Sequence, residues 1–263
     1  MILEELGKTA GMLGDLLIPR ECAVCGRKLL QGERHLCIFC EADIPLTYFW
    51  DNIENPMSDK LNALIQRDLV KSLKDGDPPP ERMRRARAAA LFYYMSEAGY
   101  KRIPQKVKYK GDLSVGRFYG NLLGEFLAES NKFNDIDTVI PVPLHWSRLW
   151  SRGYNQAEVI ASAVAARLGA EMRTDILFRA RKTTTQTKLQ NNDKALNVTG
   201  AFRIKEKYLN EESPEYGRNR HFLIIDDVFT TGATIAACCA SIYSQFGNRT
   251  SISAATLGFV EHC

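Results

Sequence analysis

Residues 222–234, FLIIDDVFTTGAT, join four apolar side chains, two adjacent carboxylates and a loop of small, hydroxyl-bearing residues in one unbroken string. The apolar run reads as a buried strand, His221–Ile225, leading into Asp226. Thr234–Phe246 reads as a helix ended by Gly247, so the loop occupies a strand-to-helix turn. Ligands of open α/β sheets bind beyond the carboxyl ends of the strands, where Asp226 and Asp227 fall. Thr230, Thr231, Gly232, Ala233 and Thr234 let backbone amides approach an anion, add hydroxyl donors and lie at the positive end of the next helix. Two acids beside that nest would repel a bare phosphate, but they suit sugar hydroxyls adjacent to one, an arrangement that a ribose 5-phosphate presents. The plainer alternative is a strand end with two solvated acids and a Thr-rich cap. A bare GxT would favour it, whereas the full string in a strand–loop–helix setting is far more specific.

A second constellation lies in 139–156, VIPVPLHWSRLWSRGYNQ. It starts as a strand, Thr138–Val142, and breaks at Pro141 and Pro143. Arg148 and Arg152 follow, and Gly153-Tyr154-Asn155-Gln156 open the next helix. The break brings Val142 and Pro143 to the sheet edge that holds the phosphate loop, and Arg152 before the flexible Gly153 suits a diphosphate clamp. A Pro-rich turn with surface arginines fits the same residues. Lys108 and Lys110, in Lys108-Tyr109-Lys110-Gly111, offer further cations for a diphosphate, although solvated lysines are their ordinary reading. Residues 179–197, RARKTTTQTKLQNNDKALN, are polar, aperiodic and long for an internal loop, which fits a lid and also fits a surface loop.

The DDVxTTGAT string resembles the 5-phosphoribosyl-1-pyrophosphate (PRPP) motif of type I phosphoribosyltransferases, in the form found in the ComF family. The PxP…RGxNQ stretch, the KYKG element and the Lys182, Gln186 and Asn197 segment resemble that family's pyrophosphate side and hood. The resemblance implies an α/β type I phosphoribosyltransferase fold, a mostly parallel twisted sheet with helices on both faces, preceded by a small N-terminal zinc ribbon. It also implies transfer of a 5-phosphoribosyl group from PRPP to an unidentified, nitrogenous acceptor with release of pyrophosphate. Mg2+ would accompany PRPP, Asp226 and Asp227 would orient the ribose hydroxyls, and Arg152 would take charge on the departing pyrophosphate. Thr230, where purine-salvage enzymes carry an acid, resembles the orotate-type loop instead. The hood departs from the family at Asn191 and Lys194, where relatives carry arginines. That departure leaves room for an alternative: a non-catalytic PRPP- or nucleotide-binding competence factor. Such a factor would act in DNA uptake with a helicase-like partner and single-stranded DNA.

Cys22-x2-Cys25-x11-Cys37-x2-Cys40 is the other chemical signal. Two CxxC knuckles this close can set four thiolates around one ion, the closed tetrahedral arrangement of structural zinc. Gly26 and Gly32 permit the tight turns, and His35 is superfluous once four cysteines are present. Cys238 and Cys239 fall on an apolar helix and read as core. The ribbon suits scaffold or protein contact at least as well as nucleic acid, given only Arg20, Arg27, Lys28 and Arg34 as its cations.

Positioning these residues requires alternating strands and helices. Ile2 to Leu17 space apolar residues as a helix stopped by Pro19. Met57–Leu73 allows one helix within an otherwise broken stretch, where Arg82, Arg84, Arg85 and Arg87 read as a solvated flank. Ala88–Tyr94, Ala201–Ile204 and Ser251–Phe259 read as further strands, and Val115–Glu129 and Asn155–Leu168 as helices. The expected division is 1–47 for helix and ribbon, 48–86 for a connector, and 87–263 for the phosphoribosyltransferase domain. A composition of 45% hydrophobic and 25% charged residues supports a real core, and a formal net charge of +4 suits a phosphorylated small molecule without arguing for nucleic acid. The chain lacks a run of eighteen apolar residues, and Glu4 and Glu5 precede no signal-like segment. The expectation is therefore a cytoplasmic protein without membrane insertion.

Overall fold

The computed structural model describes residues 20–72, 85–94, 99–109, 113–180, 200–208, 220–247 and 250–261. Its centre is a five-stranded sheet in which every pairing is parallel. The strands are β1 (Arg87–Tyr93), β2 (Thr138–Pro141), β3 (Glu171–Met172), β6 (Arg220–Phe229) and β7 (Thr250–Phe259), in the order β1-β7-β6-β2-β3. β4 (Leu177–Arg179) and β5 (Phe202–Ile204) pair antiparallel in a separate ribbon. The strand expected near Ala201–Ile204 is therefore present but outside the central sheet. Ala180 N donates to Ala201 O at 2.8 Å, so the ribbon brackets residues 181–199.

Helices α1 (Ile38–Ala42), α2 (Pro56–Ser72), α3 (Arg102–Tyr109), α4 (Leu113–Glu129), α5 (Trp146–Arg152), α6 (Gln156–Leu168) and α7 (Ala233–Phe246) complete the described framework. The β2–α6–β3 crossover steps one way across the sheet, while β6–α7–β7 steps the other way. Because such crossovers are right-handed, opposite steps put α6 and α7 on opposite faces. Packing agrees, since α4 lies against α6 and α2 lies against α7 and β1. The two central neighbours β6 and β2 thus lead away from each other, and the crevice between their carboxyl ends is the topological switch point. Strand order and crossover sense establish an open, doubly wound α/β fold, a parallel sheet covered on both faces.

The α4–α6 contact depends on Gly116, Gly120 and Gly124, which are spaced one turn apart along LSVGRFYGNLLGEFLAE. A Cβ on Gly120 would meet Ala163 Cβ at 2.9 Å, and one on Gly124 would meet Arg167 Cβ at 2.8 Å. These glycines allow the two backbones to approach closely, which offsets glycine's poor helix propensity.

Within the stretch read as a connector, α2 is packed on the core. Met57, Leu61 and Ile65 are buried, Pro56 opens the helix, and Asn55 Oδ1 accepts from Ser58 N at 2.9 Å as its cap. Asn55 Nδ2 also donates to Ala88 O of β1 at 2.9 Å. Arg87 lies at the opposite, amino-terminal end of the sheet from the crevice, with Asp135 at 2.6 Å and His221 Nδ1 at 2.8 Å. Arg82, Arg84 and the helix expected near the N-terminus lie outside the described residues.

The cysteine segment folds as paired turns. Gly26 N donates to Cys22 O at 3.0 Å, and Gly26 and Gly32 have φ of 77° and 95°, the left-handed conformations expected at both turns. The segment packs against the elements that follow it. Tyr100 Oη donates to Cys40 O at 2.8 Å, Arg102 Nη1 donates to Val24 O at 3.0 Å, and Trp50 stacks on Phe126 at 4.6 Å. Among the described residues, no helix is long and apolar enough to cross a membrane.

Candidate ribose-phosphate site

Phe222, Leu223, Ile224 and Ile225 are fully buried, which fixes β6 at the middle of the sheet. Contrary to the expectation that the strand ends before the acids, β6 continues through Asp226 and Asp227 to Phe229 by pairing with β7. On the other side, pairing with β2 runs to Pro141 opposite Ile225, and Val142 N adds one bond to Ile225 O at 2.8 Å. The prolines at 141 and 143 carry no N–H and end the ladder there. The edge of β6 at the two acids is therefore open toward the crevice.

Successive strand residues point to opposite faces, and the two carboxylates have different surroundings accordingly. Asp227 is buried, with Lys108 Nζ from the last turn of α3 at 2.5 Å from its Oδ2, an ionic approach rather than a well-aligned hydrogen bond. Asp226 is half-buried and accepts from the backbone N of Asp227 at 2.9 Å. Desolvation and then the neighbouring Asp227 charge raise its pKa to about 7, while Lys108 pulls the other way. Arg179, at the end of β4, has its pKa lowered by burial and by Arg148, with Asp226 opposing that shift.

Beyond Phe229, residues 230–234 line a small cup that opens to solvent and is bounded by Asp226 on the strand side. Gly232 begins α7 with φ of 79°, and a Cβ there would lie 2.4 Å from Phe229 Cζ, so glycine is required. First-turn amides of α7 face the cup, with Thr231 Oγ1 accepting from Ala233 N at 3.4 Å. Lys60, on α2, donates to Thr230 O at 3.1 Å.

The RGYNQ stretch acts largely as scaffolding. Asn155 Oδ1 caps α6 through Ala157 N at 3.1 Å, and its Nδ2 donates to Val142 O at 3.1 Å, which ties the broken end of β2 to the helix. Tyr154 Oη donates to Val107 O, which holds α3, the carrier of Lys108. Arg152 Nη1 donates to Gln156 Oε1 at 2.6 Å, and Gly153 closes α5 at φ of 80°.

The structure thus gathers Asp226, Asp227, residues 230–234, Val142 and Lys108 about the switch point. It places Arg152 on α5, just beyond the β2 loop, with its guanidinium held by Gln156. Lys110, Lys182 and Gln186 lie outside the described residues. Lys60 and Arg179 are additions that the sequence did not single out. Lys60 lay within Met57–Leu73, read as a helix with no local signal of a ligand role, whereas Arg179 opened the polar segment and could have been weighed with it.

The two acids supply the hard oxygen donors that Mg2+ takes, and the mutual repulsion visible in Asp226 is what a cation would relieve, so the residues fit that ion. The cysteine cluster fits zinc. All four sulfurs lie within 4.8 Å of one another, and Cys25 Sγ is 3.7 Å from Cys37 Sγ. A tetrahedron with metal–sulfur distances of ~2.3 Å has edges of roughly 3.8 Å. Burial opposes ionisation of Cys22, yet hydrogen bonds from the backbone of Cys25, Cys37 and Val24 bring its pKa down to about 6, whereas burial and the neighbouring sulfurs push Cys40 well up, a mutual repulsion that a bound cation would relieve.

No family model matches the chain. Competence protein F of Haemophilus influenzae is 29% identical over 134 residues, 50% of this chain and 56% of that protein. DNA utilization protein YhgH of Escherichia coli K12 is 35% identical over 100 residues, 38% of this chain and 40% of that protein. The matched stretch therefore spans about half, or less, of each relative's length. Both relatives carry names of competence or DNA utilization, in line with the resemblance read from residues 139–156 and 222–234. Among solved structures, the hypoxanthine-guanine phosphoribosyltransferase of L. donovani is 12% identical with a TM-score of 0.31, covering 54% of this chain and 67% of that one. A hypoxanthine phosphoribosyltransferase from Staphylococcus aureus is 14% identical with the same TM-score of 0.31, covering 52% and 62%.

Proposed function

We propose that the chain binds PRPP at the switch point and transfers its 5-phosphoribosyl group to a nitrogenous acceptor, releasing pyrophosphate. The observation that carries this reading is the pair Asp226–Asp227 at the open edge of β6, directly before the cup of residues 230–234. The cup takes the 5-phosphate on amides and hydroxyls, and the carboxylates accept from the 2- and 3-hydroxyls of the same ribose. Lys108, Arg152 and the Val142–Pro143 turn lie on the pyrophosphate side, with Lys182 and Gln186 assigned to the hood. Mg2+, held with PRPP near Asp226 and Asp227, would supply charge neutralisation for the diphosphate. Lys108 pairs with Asp227, so ligand oxygens that engage Lys108 compete with that carboxylate. The residues' contribution is orientation and electrostatic complementarity to a bond-breaking state with positive charge on the sugar and negative charge on pyrophosphate. Zinc, bound by Cys22, Cys25, Cys37 and Cys40, would be structural, because four protein ligands leave no open position.

A second reading is favoured by the names of the relatives, a competence protein and a DNA utilization protein: PRPP or a nucleotide is a regulatory ligand of a factor in DNA uptake, and the helicase-like partner and single-stranded DNA implied by the family resemblance would belong to this reading. Incubation with PRPP, Mg2+ and a mixture of nitrogenous acceptors separates the two. Pyrophosphate release that depends on Asp226 and Asp227 supports transfer. Retention of PRPP without release supports the second reading, and the absence of both refutes the pair.

A further inference from the structure

We propose that Lys60, from the helix preceding the main sheet, is a ligand of the 5-phosphate and makes the cup selective for a dianionic phosphomonoester. The inference rests on the reading of the cup as a ribose-phosphate site. Residues 230–234 offer that phosphate only neutral donors, and the cup's strand-side wall carries Asp226. A phosphomonoester bears about −1.5 to −2 charges near pH 7, so a cation is needed to offset its repulsion from that carboxylate.

Lys60 is placed to provide it. Its Nζ lies 3.1 Å from the backbone oxygen of Thr230, a residue that lines the cup, and spends one of three ammonium donors there. The side chain is half-buried, burial lowers its pKa, and no described carboxylate pairs with it. One turn further along α2, Leu64 Cδ1 stands 2.9 Å from where a Gly232 Cβ would be, so the helix is packed against the loop and fixes the reach of Lys60. Met57 and Leu61 bury the inner face of the same helix. A desolvated, carboxylate-free ammonium beside a nest of amides is the arrangement a phosphate dianion stabilises. A purely structural role would be a tether to Thr230 O.

Calorimetric titration of ribose 5-phosphate and of Mg2+–pyrophosphate into the wild type, Lys60→Gln and Lys60→Arg tests this. The expected result is about a tenfold loss of ribose 5-phosphate affinity in Lys60→Gln, the size of a hydrogen bond to a charged group. Lys60→Arg should recover most of it, and pyrophosphate affinity should stay unchanged in both. Equal affinity of wild type and Lys60→Gln for ribose 5-phosphate overturns the inference while leaving the PRPP site standing. Parallel loss of both ligands with a lowered melting temperature also overturns it, since that is the signature of a tether. Failure of the wild type to bind ribose 5-phosphate removes the cup's assignment and this inference with it.

Discussion

Replacing Asp226 with Asn should make the ligand-free protein more stable while removing its affinity for PRPP. In the folded chain, desolvation and the adjacent Asp227 raise the Asp226 pKa to about 7, so the ionised carboxylate is held against its preference. Between the ordinary carboxylate range and about 7, the folded chain holds a proton that the unfolded chain has released. Stability therefore falls as pH rises across that window, and the penalty is fully present above it. A rise of about three pH units at about 1.4 kcal/mol each would amount to roughly 4 kcal/mol if Asp226 alone carried the strain. Asp227 shares the repulsion and Lys108 offsets part of it, so we expect about 2 kcal/mol, or a gain of roughly 4–8 °C in melting temperature at pH 8. Thermal melts of both proteins from pH 4 to pH 8 provide the assay. The gap should be widest at pH 8 and close toward pH 4. A variant that is less stable than wild type, or a gap that does not change with pH, refutes the electrostatic account of the pair. In the same series, wild-type affinity for PRPP with Mg2+ should rise through pH 7 as Asp226 loses its competing proton.

Gly232→Ala forces a side chain into a left-handed position against Phe229 and should reduce PRPP affinity more than tenfold, as read by equilibrium dialysis. Gly120→Val should cost about 1–3 kcal/mol in urea unfolding by driving α4 off Ala163 and the backbone of Ile160, with PRPP affinity retained by the folded fraction. Purified protein should contain one zinc per chain by elemental analysis. Cys22→Ser should lose that zinc and become open to proteolysis within residues 20–47. Because Arg102 and Tyr100 hold the ribbon against the start of α3, zinc loss should also weaken PRPP binding through Lys108.

The elements that define the site were legible because each carries its own local signal. The run of Phe222 to Ile225 is uniformly apolar, Gly169 ends α6 in a left-handed cap, and Gly232 is obligatory at the loop. The four cysteines announce a cluster by spacing alone, and the fold brings their sulfurs together. What the sequence concealed depends on tertiary placement. Whether β6 ends before or after Asp226 is decided by its neighbours: β7 continues the ladder while the prolines of β2 stop it. The antiparallel β4–β5 pair joins residues more than twenty positions apart, and nothing in either three-residue strand names its partner. The roles of Asn155 and Tyr154 as ties to Val142 and Val107 emerge only once β2, α3 and α6 are packed together. Lys60 was hidden for the same reason, since its helix reaches the loop only by lying across β1 and α7.

The central claim is a ribose-phosphate site built on Asp226 and Asp227, and the most direct test is calorimetric titration of PRPP with Mg2+. The titration compares the wild type with the Asp226→Asn/Asp227→Asn double variant, both loaded with zinc and folded. Saturable binding to the wild type that collapses in the variant is the predicted result. Absence of binding to the wild type, or equal binding to both, would contradict it.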